Sequence, residues 1–302
     1  MTLFSPLITI FFVVVVGIFC YRKKIFHKTQ IDGFELLLFK IIMPSYLFAA
    51  AYQNDLSALL NTDYIAAYLL TFGILALIVT VIFVKSLSMI SVCMRILSAS
   101  YVNAAIYVLP VISIFLKDPT AAIIGNMVQV IIIQPLFMIL LNTVKNKEKS
   151  MLKKIISIVT TPLIIMPILG ILLNYLQIRV PIPIVDAMTV IGSGASSLAL
   201  FVFGLTLGAT KITAQCLKFD LISVVLVKSV IHPLIAVLIA YYMKLETYWF
   251  NSLLIAASAP TAVVVYIISK EFSSEEEFVK KVVALTSVVA MVSLILITII
   301  IG

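Results

Sequence analysis

Two short stretches set polar groups and a helix-breaking proline in long apolar surroundings. Residues 98–110 carry Asn103, Tyr107 and Pro110; residues 256–262 carry Ser258, Pro260 and Thr261. A proline supplies no backbone N–H, and its ring collides with the carbonyl four residues back. Each stretch is therefore expected to break a helix and free backbone amides. Freed amides at the start of a resumed helix, together with the positive end of its dipole, attract an anion. Asn103 adds a carboxamide that can both donate and accept, at a depth where an unpaired polar group is costly. The chemistry on offer is recognition of a negatively charged solute. The alternative is mechanical: Asn103 and the prolines only bend helices or bridge neighbours.

The elements that could hold such stretches are membrane spans. The 302 residues are 63% hydrophobic and 11% charged, with a mean hydropathy of +1.23, whereas soluble domains are about half apolar and a quarter charged. This composition indicates an all-α integral membrane protein and leaves no room for a soluble catalytic domain. Hydropathy and charge breaks predict ten spans. They are 5–21, 33–52, 64–84, 96–116 and 120–142, then 155–176, 185–209, 221–243, 248–269 and 279–301. No Lys or Arg precedes the first and no small-residue cleavage site follows it, so it reads as a permanent helix.

Arg22, Lys23, Lys24 and Lys28 follow the first span and belong in the cytoplasm under the positive-inside rule, which puts both termini outside a cytoplasmic membrane. The same orientation gives the inner connectors sixteen Lys and Arg residues and the outer ones only Lys117, Arg179 and Lys244. Topology and anionic lipid headgroups then account for the net charge of +8 without a nucleic-acid partner.

The polar connector 143–154, assigned to the cytoplasm, divides the spans into halves 1–142 and 155–302. Five spans per half make the second half enter from the opposite side, as an inverted repeat would. Span four then pairs with span nine, and these carry the two stretches above. At 1.5 Å per residue, Asn103 lies about 12 Å beyond Arg95 and Pro260 about 15 Å from Lys270, both near the middle of a core about 30 Å thick. The break in span four is expected between residues 103 and 110, with the two broken spans crossing.

Other polar residues admit two readings each. Ser196 lies in a small-residue face, 192–197, that either packs closely or lines a solute path. Asn126, Gln129 and Gln134 either ligate sodium or hydrogen-bond a neighbouring helix. Lys228 and Lys40 lie within spans, where a charge is functional unless it reaches an interface. Lys270 and Glu271 form a gate-side ion pair or a solvated one. Cys20, Cys93 and Cys216 lack metal-site spacing, and neither His27 nor His232 has a ligand partner in sequence, so no metal or cofactor is expected. The paired deep carboxylates of a sodium/proton exchanger are missing, with Glu35 only a turn inside span two. An intramembrane enzyme finds no nucleophile and base, and a channel would differ in turnover rather than in sequence.

Asn103, the step to Leu109-Pro110, and Ala259-Pro260-Thr261-Ala262 leading through Tyr266 to Ser269-Lys270-Glu271-Phe272 resemble the crossover regions of the auxin efflux carrier family. That family includes plant PIN-type exporters and bacterial malate permease-like transporters. Met43-Pro44 and the 198–205 run are similar to it too. The resemblance implies a ten-helix, five-plus-five inverted repeat related to bile acid sodium symporters and sodium/proton antiporters. In it, crossover spans three to five and eight to ten move against a scaffold of spans one, two, six and seven. It also implies that Asn103 meets a substrate carboxylate, with Tyr107 and Pro110 beside it, Pro260 and Thr261 at the second crossover, and Met43, Pro44 and Ser196 on the scaffold side. Lys228, Lys270 and Gln129 are the coupling or gating candidates, with H⁺ or Na⁺ as the ion. The implied partners are a small organic anion such as malate, membrane lipid and, as a candidate assembly, a second copy. A sodium-coupled symporter of a larger, bile-acid-like anion is the alternative. Plant exporters carry a second proline where this chain has Val265, which argues against auxin as substrate.

Overall fold

Apolar runs of membrane length become helices because a helix satisfies every backbone polar group within one segment. The computed structural model describes residues 4–54, 56–144, 156, 160–209, 219–272 and 275–301. In chain order its main helices are α1 (Phe4–Arg22), α2 (Lys28–Gln53), α3 (Thr62–Phe83), α4 (Met89–Ser100), α5 (Ala104–Phe115) and α6 (Thr120–Val144). They continue as α7 (Pro162–Tyr175), α8 (Ile182–Ala209), α9 (Phe219–Tyr242), α10 (Thr247–Ser258), α11 (Val263–Phe272) and α12 (Glu276–Ile301). Seven of these, α1, α2, α3, α6, α8, α9 and α12, are long and apolar enough to cross a membrane. No β-strand occurs among the described residues. Large apolar side chains such as Phe12, Leu77, Val81, Leu234 and Leu296 face outward, as lipid contact requires.

The seven long helices match the first, second, third, fifth, seventh, eighth and tenth predicted spans. The fourth and ninth are interrupted, giving α4 with α5 and α10 with α11. The linker beyond Val144, Cys216 and the side chain of Glu271 lie outside the described residues.

Prolines are handled unexpectedly. Wide π turns at Leu38–Ile42, Ala104–Val108, Val128–Ile133 and Val227–Ile231 end just before Met43-Pro44, Leu109-Pro110, Gln134-Pro135 and His232-Pro233. The N–H groups of Met43, Leu109, Gln134 and His232 donate to carbonyls five residues back, at Leu38, Ala104, Gln129 and Val227. Widening the turn moves the backbone out of register with the ring that would strike it, so the helix runs on. The expected break between Asn103 and Pro110 is thereby corrected. Pro110 sits inside α5, and the chain leaves the helix earlier, at residues 101–103.

A second correction concerns Arg95, assigned to a solvated connector. α4 starts at Met89, its first turn capped by the Ser88 hydroxyl, which accepts the Ser91 N–H at 3.2 Å. Arg95 is therefore helical and buried. Its guanidinium reaches Asp220 at 2.6 Å and Glu275 at 2.8 Å, and lies 3.9 Å over the Phe278 ring. Hydropathy of one segment cannot register partners supplied by α9 and the start of α12.

Two glycine contacts organise the other side of the molecule. α1 meets α8 where Gly17 faces the backbone of Phe201, Gly204 and Leu205; α7 meets α2 where Gly170 faces Phe48, Ala51 and Tyr52. No Cβ could fit at either, so the helices touch backbone to backbone. The interrupted helices pack among α3, α6, α9 and α12.

Candidate functional site

α4 ends at Ser100 and α10 at Ser258, and the extended segments that follow lie side by side. Val102 and Thr261 form an antiparallel bridge. The Asn103 N–H donates to the Pro260 carbonyl at 2.9 Å, and the Ala262 N–H to the Tyr101 carbonyl at 3.1 Å. Pro260 dictates its own break. The residue before a proline is driven from the helical region, and Ala259 accordingly has φ −67° and ψ 154°. Tyr101 is extended without a proline, at φ −79° and ψ 112°. There the break is set by Asn103, whose carboxamide oxygen accepts the Ile106 N–H at 3.3 Å and caps α5.

Gln129 of α6 completes this break. Its side-chain oxygen accepts the Val102 N–H at 2.7 Å and its amide nitrogen donates to the Val102 carbonyl at 3.2 Å. Across the bridge, the Thr261 N–H donates to the Thr286 hydroxyl at 3.1 Å, and the Thr261 hydroxyl donates to the Ser98 carbonyl at 2.6 Å. Gln134 accepts the Tyr101 hydroxyl at 2.9 Å. Gln129 and Gln134 thus hydrogen-bond the neighbouring break.

The amides at the breaks are less free than the sequence suggests. Those of Val102, Asn103, Thr261 and Ala262 are all engaged. The N–H groups of Ala105, Val263 and Val264, in the first turns of α5 and α11, have no acceptor among the described residues, and these three residues are half-buried where their neighbours are buried. The amide nitrogen of Asn103, a residue 8% exposed, likewise has no acceptor among them.

On the other side of the breaks the C-terminal turns of α4 and α10 meet α9. Lys228, 1% exposed, places its Nζ 3.0 Å from His232 Nδ1 and 3.3 Å from the Ala257 carbonyl, to which it donates. The His232 imidazole also lies against the backbone of Ala99. The spacing of four residues put Lys228 and His232 on one helical face, a signal the sequence contained. A cavity of about 10 Å³, room for a single water, lies beside them against Tyr68, Ser100, Val102 and Ala257.

The remaining sequence candidates are scattered. The Tyr107 hydroxyl donates to the Ala290 carbonyl in α12 at 2.9 Å, and its ring meets Phe203 of α8 edge-on at 5.4 Å. It is thereby a fully buried joint between α5, α8 and α12. Pro110 is buried in α5; Met43 and Pro44 are buried in α2; Ser196 is half-buried where α8 resumes after a bend at residues 193–194. Among the described residues no hydrogen bond joins Met43, Pro44 or Ser196 to the breaks. Lys270 is exposed, with its ammonium 4.5 Å over the Tyr266 ring. Thr286, which sequence reasoning passed over, and Arg95, which it assigned to a connector, hold the breaks and the inner end of α4.

No group of three or more His, Cys, Asp or Glu that could hold a metal occurs among the described residues. A family model described as membrane transport protein matches residues 2–298. No curated protein matches the chain.

Proposed function

The chain belongs to the auxin efflux carrier family, whose members are membrane transporters and not enzymes, and from that premise we propose that it moves a small organic anion across the cytoplasmic membrane. A mono- or dicarboxylate of malate size fits best. The observation that carries the reading is that the N–H groups of the half-buried residues Ala105, Val263 and Val264, and the Asn103 amide nitrogen, have no acceptor among the described residues. Donors at the positive ends of two helices, in a low-dielectric setting, favour carboxylate oxygens. In this reading Asn103, Pro260 and Thr261 form the binding side, with Tyr107 and Pro110 bracing α5, and Met43, Pro44 and Ser196 line the facing scaffold. Gln129 acts by positioning Val102, and Lys270 stays in solvent.

The ten predicted spans would form the inverted repeat, with α1, α2, α7 and α8 as scaffold and the others moving against it to alternate access. A constant spacing supports the repeat. Gly17 and Gly170, Phe48 and Phe201, Ala51 and Gly204, and Tyr52 and Leu205 stand 153 positions apart, and each glycine meets the equivalent partners. The left-handed residues that end α1 and α7, Lys24 at φ 58° and Gln177 at φ 53°, keep that interval too. The two bridge residues also find their polar clamps, Gln129 and Thr286, in helices five and ten of the scheme. The distribution of Lys and Arg supports an orientation with both termini outside.

A thermal-shift series with small carboxylates, followed by flux in proteoliposomes, tests the substrate class. Asn103→Ala should weaken binding of a hit about tenfold or more, and Asn103→Asp should keep the α5 cap yet abolish anion binding by charge repulsion. Unchanged uptake in both variants removes Asn103 from the site.

A further inference from the structure

We propose that the turn after α1 is a binding site for the headgroup of an anionic phospholipid. Arg22, Lys24 and Lys28 surround a cavity of about 460 Å³ there, together with Tyr21, His27 and Gly208. In the orientation proposed above this turn faces the cytoplasmic leaflet. The site is separate from the carboxylate site and shares no residue with it.

The cations sit on a built turn. Lys24 takes the left-handed conformation at φ 58°, and the N–H groups of Lys23, Lys24 and Ile25 donate to the carbonyls of Phe19, Tyr21 and Cys20, each at 2.9 Å. Phe26 then pins the chain edge-on against Phe34 and Phe201, with ring centroids 5.2 and 5.9 Å away. The turn after α7 repeats this backbone 153 positions later: Gln177 has φ 53°, and the N–H groups of Leu176, Gln177 and Ile178 donate to Leu172, Asn174 and Leu173. Yet Tyr175, Gln177 and Pro181 stand there in place of Arg22, Lys24 and Lys28. The fold needs the turn but not the cations. Topology asks only for a basic connector; three cations around one cavity ask for an anion. Asp32 and Glu35 of α2 form no ion pair with them among the described residues, and Lys28 is the first residue of α2, where the helix dipole is already positive. A phosphate relieves that repulsion, and the Arg22 guanidinium suits it by its planar fork of donors.

The surface leading to the cavity favours a lipid over a soluble phosphate. Ile8, Phe12, Val15 and Phe19 are exposed along one face of α1, spaced by four, three and four residues. At 1.5 Å per residue this stripe runs about 16 Å, close to one leaflet of a core about 30 Å thick. It ends one turn before Arg22, where Lys23 holds its ammonium 5.8 Å over the Phe19 ring. An acyl chain lying on the stripe brings its phosphate to the cavity.

The test titrates the full-length protein in detergent, at fixed ionic strength, with dioleoylphosphatidylglycerol or dioleoylphosphatidylcholine and follows bound lipid by native mass spectrometry. The anionic lipid should bind about tenfold more tightly or better; equal affinities overturn the proposal. Arg22→Gln and Lys28→Gln should each weaken the anionic lipid about fivefold and leave the choline lipid unchanged. Both side chains are exposed, so the variants should fold. Lys85→Gln removes an equal charge from another inner connector and should change affinity less than about twofold. No loss in the two cavity variants, or an equal loss in Lys85→Gln, overturns the site in favour of general surface charge. Inorganic phosphate in about tenfold excess should not displace the anionic lipid, whose chain adds apolar contact; displacement would assign the cavity to a soluble phosphate and overturn the lipid. Because no carboxylate solute enters these measurements, failure of carboxylates to bind would sink the proposed function alone.

Discussion

Replacing Gln129 with Leu removes both hydrogen bonds to Val102 while keeping most of the side-chain volume. Val102 is 2% exposed, so its N–H would be left without a partner in an apolar interior, while its carbonyl keeps the Ala104 N–H at 2.8 Å. An orphaned buried polar group costs about 1 to 3 kcal/mol. With one donor orphaned and one bond to the carbonyl lost, the substitution should cost about 1 to 3 kcal/mol. At roughly 2 to 4 °C per kcal/mol for a chain of this size, the melting midpoint should drop by about 2 to 12 °C. Differential scanning fluorimetry in detergent reads this directly. Gln134→Leu provides the scale: it removes one acceptor from the Tyr101 hydroxyl and should cost about 1 kcal/mol. If Gln129→Leu melts with the wild type, or no lower than Gln134→Leu, the clamp does not hold the break and the account of α4 and α5 is wrong.

Pro260→Ala should leave solute affinity within about twofold but slow turnover, because alanine restores an N–H that can extend α10 across the break; equal transport rates would refute this. Arg95→Ala should lower stability by about 2 kcal/mol, less than a fully buried pair would, since Asp220 and Glu275 retain some solvent. Denaturant or thermal unfolding measures it, and Arg95→Lys should recover less than half. Gly204→Ala drives a Cβ into the Val14 carbonyl and should destabilise by about 2 kcal/mol or more, whereas Gly73→Ala, which meets nothing within 4 Å, should be neutral or slightly stabilising on the same assay.

Span placement was legible because apolar runs and their basic flanks are local properties. That the fourth and ninth spans are interrupted was legible too, since Asn103 and Pro260 each set an unusual residue inside an apolar run. The site of the first break was not. Proline dominated that expectation, yet a π turn at Ala104–Val108 absorbs Pro110, while Asn103 and a glutamine 27 residues beyond Val102 stop α4. Arg95 was misplaced for the same reason: Asp220 and Glu275 come from distant sequence. The Lys228 contact with His232 was within reach of helical spacing, but the Ala257 carbonyl that also accepts from Lys228 comes from an interrupted helix distant in sequence.

The bridge between Val102 and Thr261 also sets a schedule for biosynthesis. Val102 leaves the ribosome long before Thr261, and at about 5 to 20 residues per second the wait is roughly 10 to 30 s. Gln129 follows Val102 by only 27 residues and can cover its peptide groups in the interval. Tyr101 and Asn103, whose bridge bonds go to Ala262 and Pro260, must instead rely on water, the translocon or a membrane chaperone until the ninth segment inserts. A nascent chain stalled in that window would present an open kink to the insertion machinery, which makes this the step at which quality control has most to recognise.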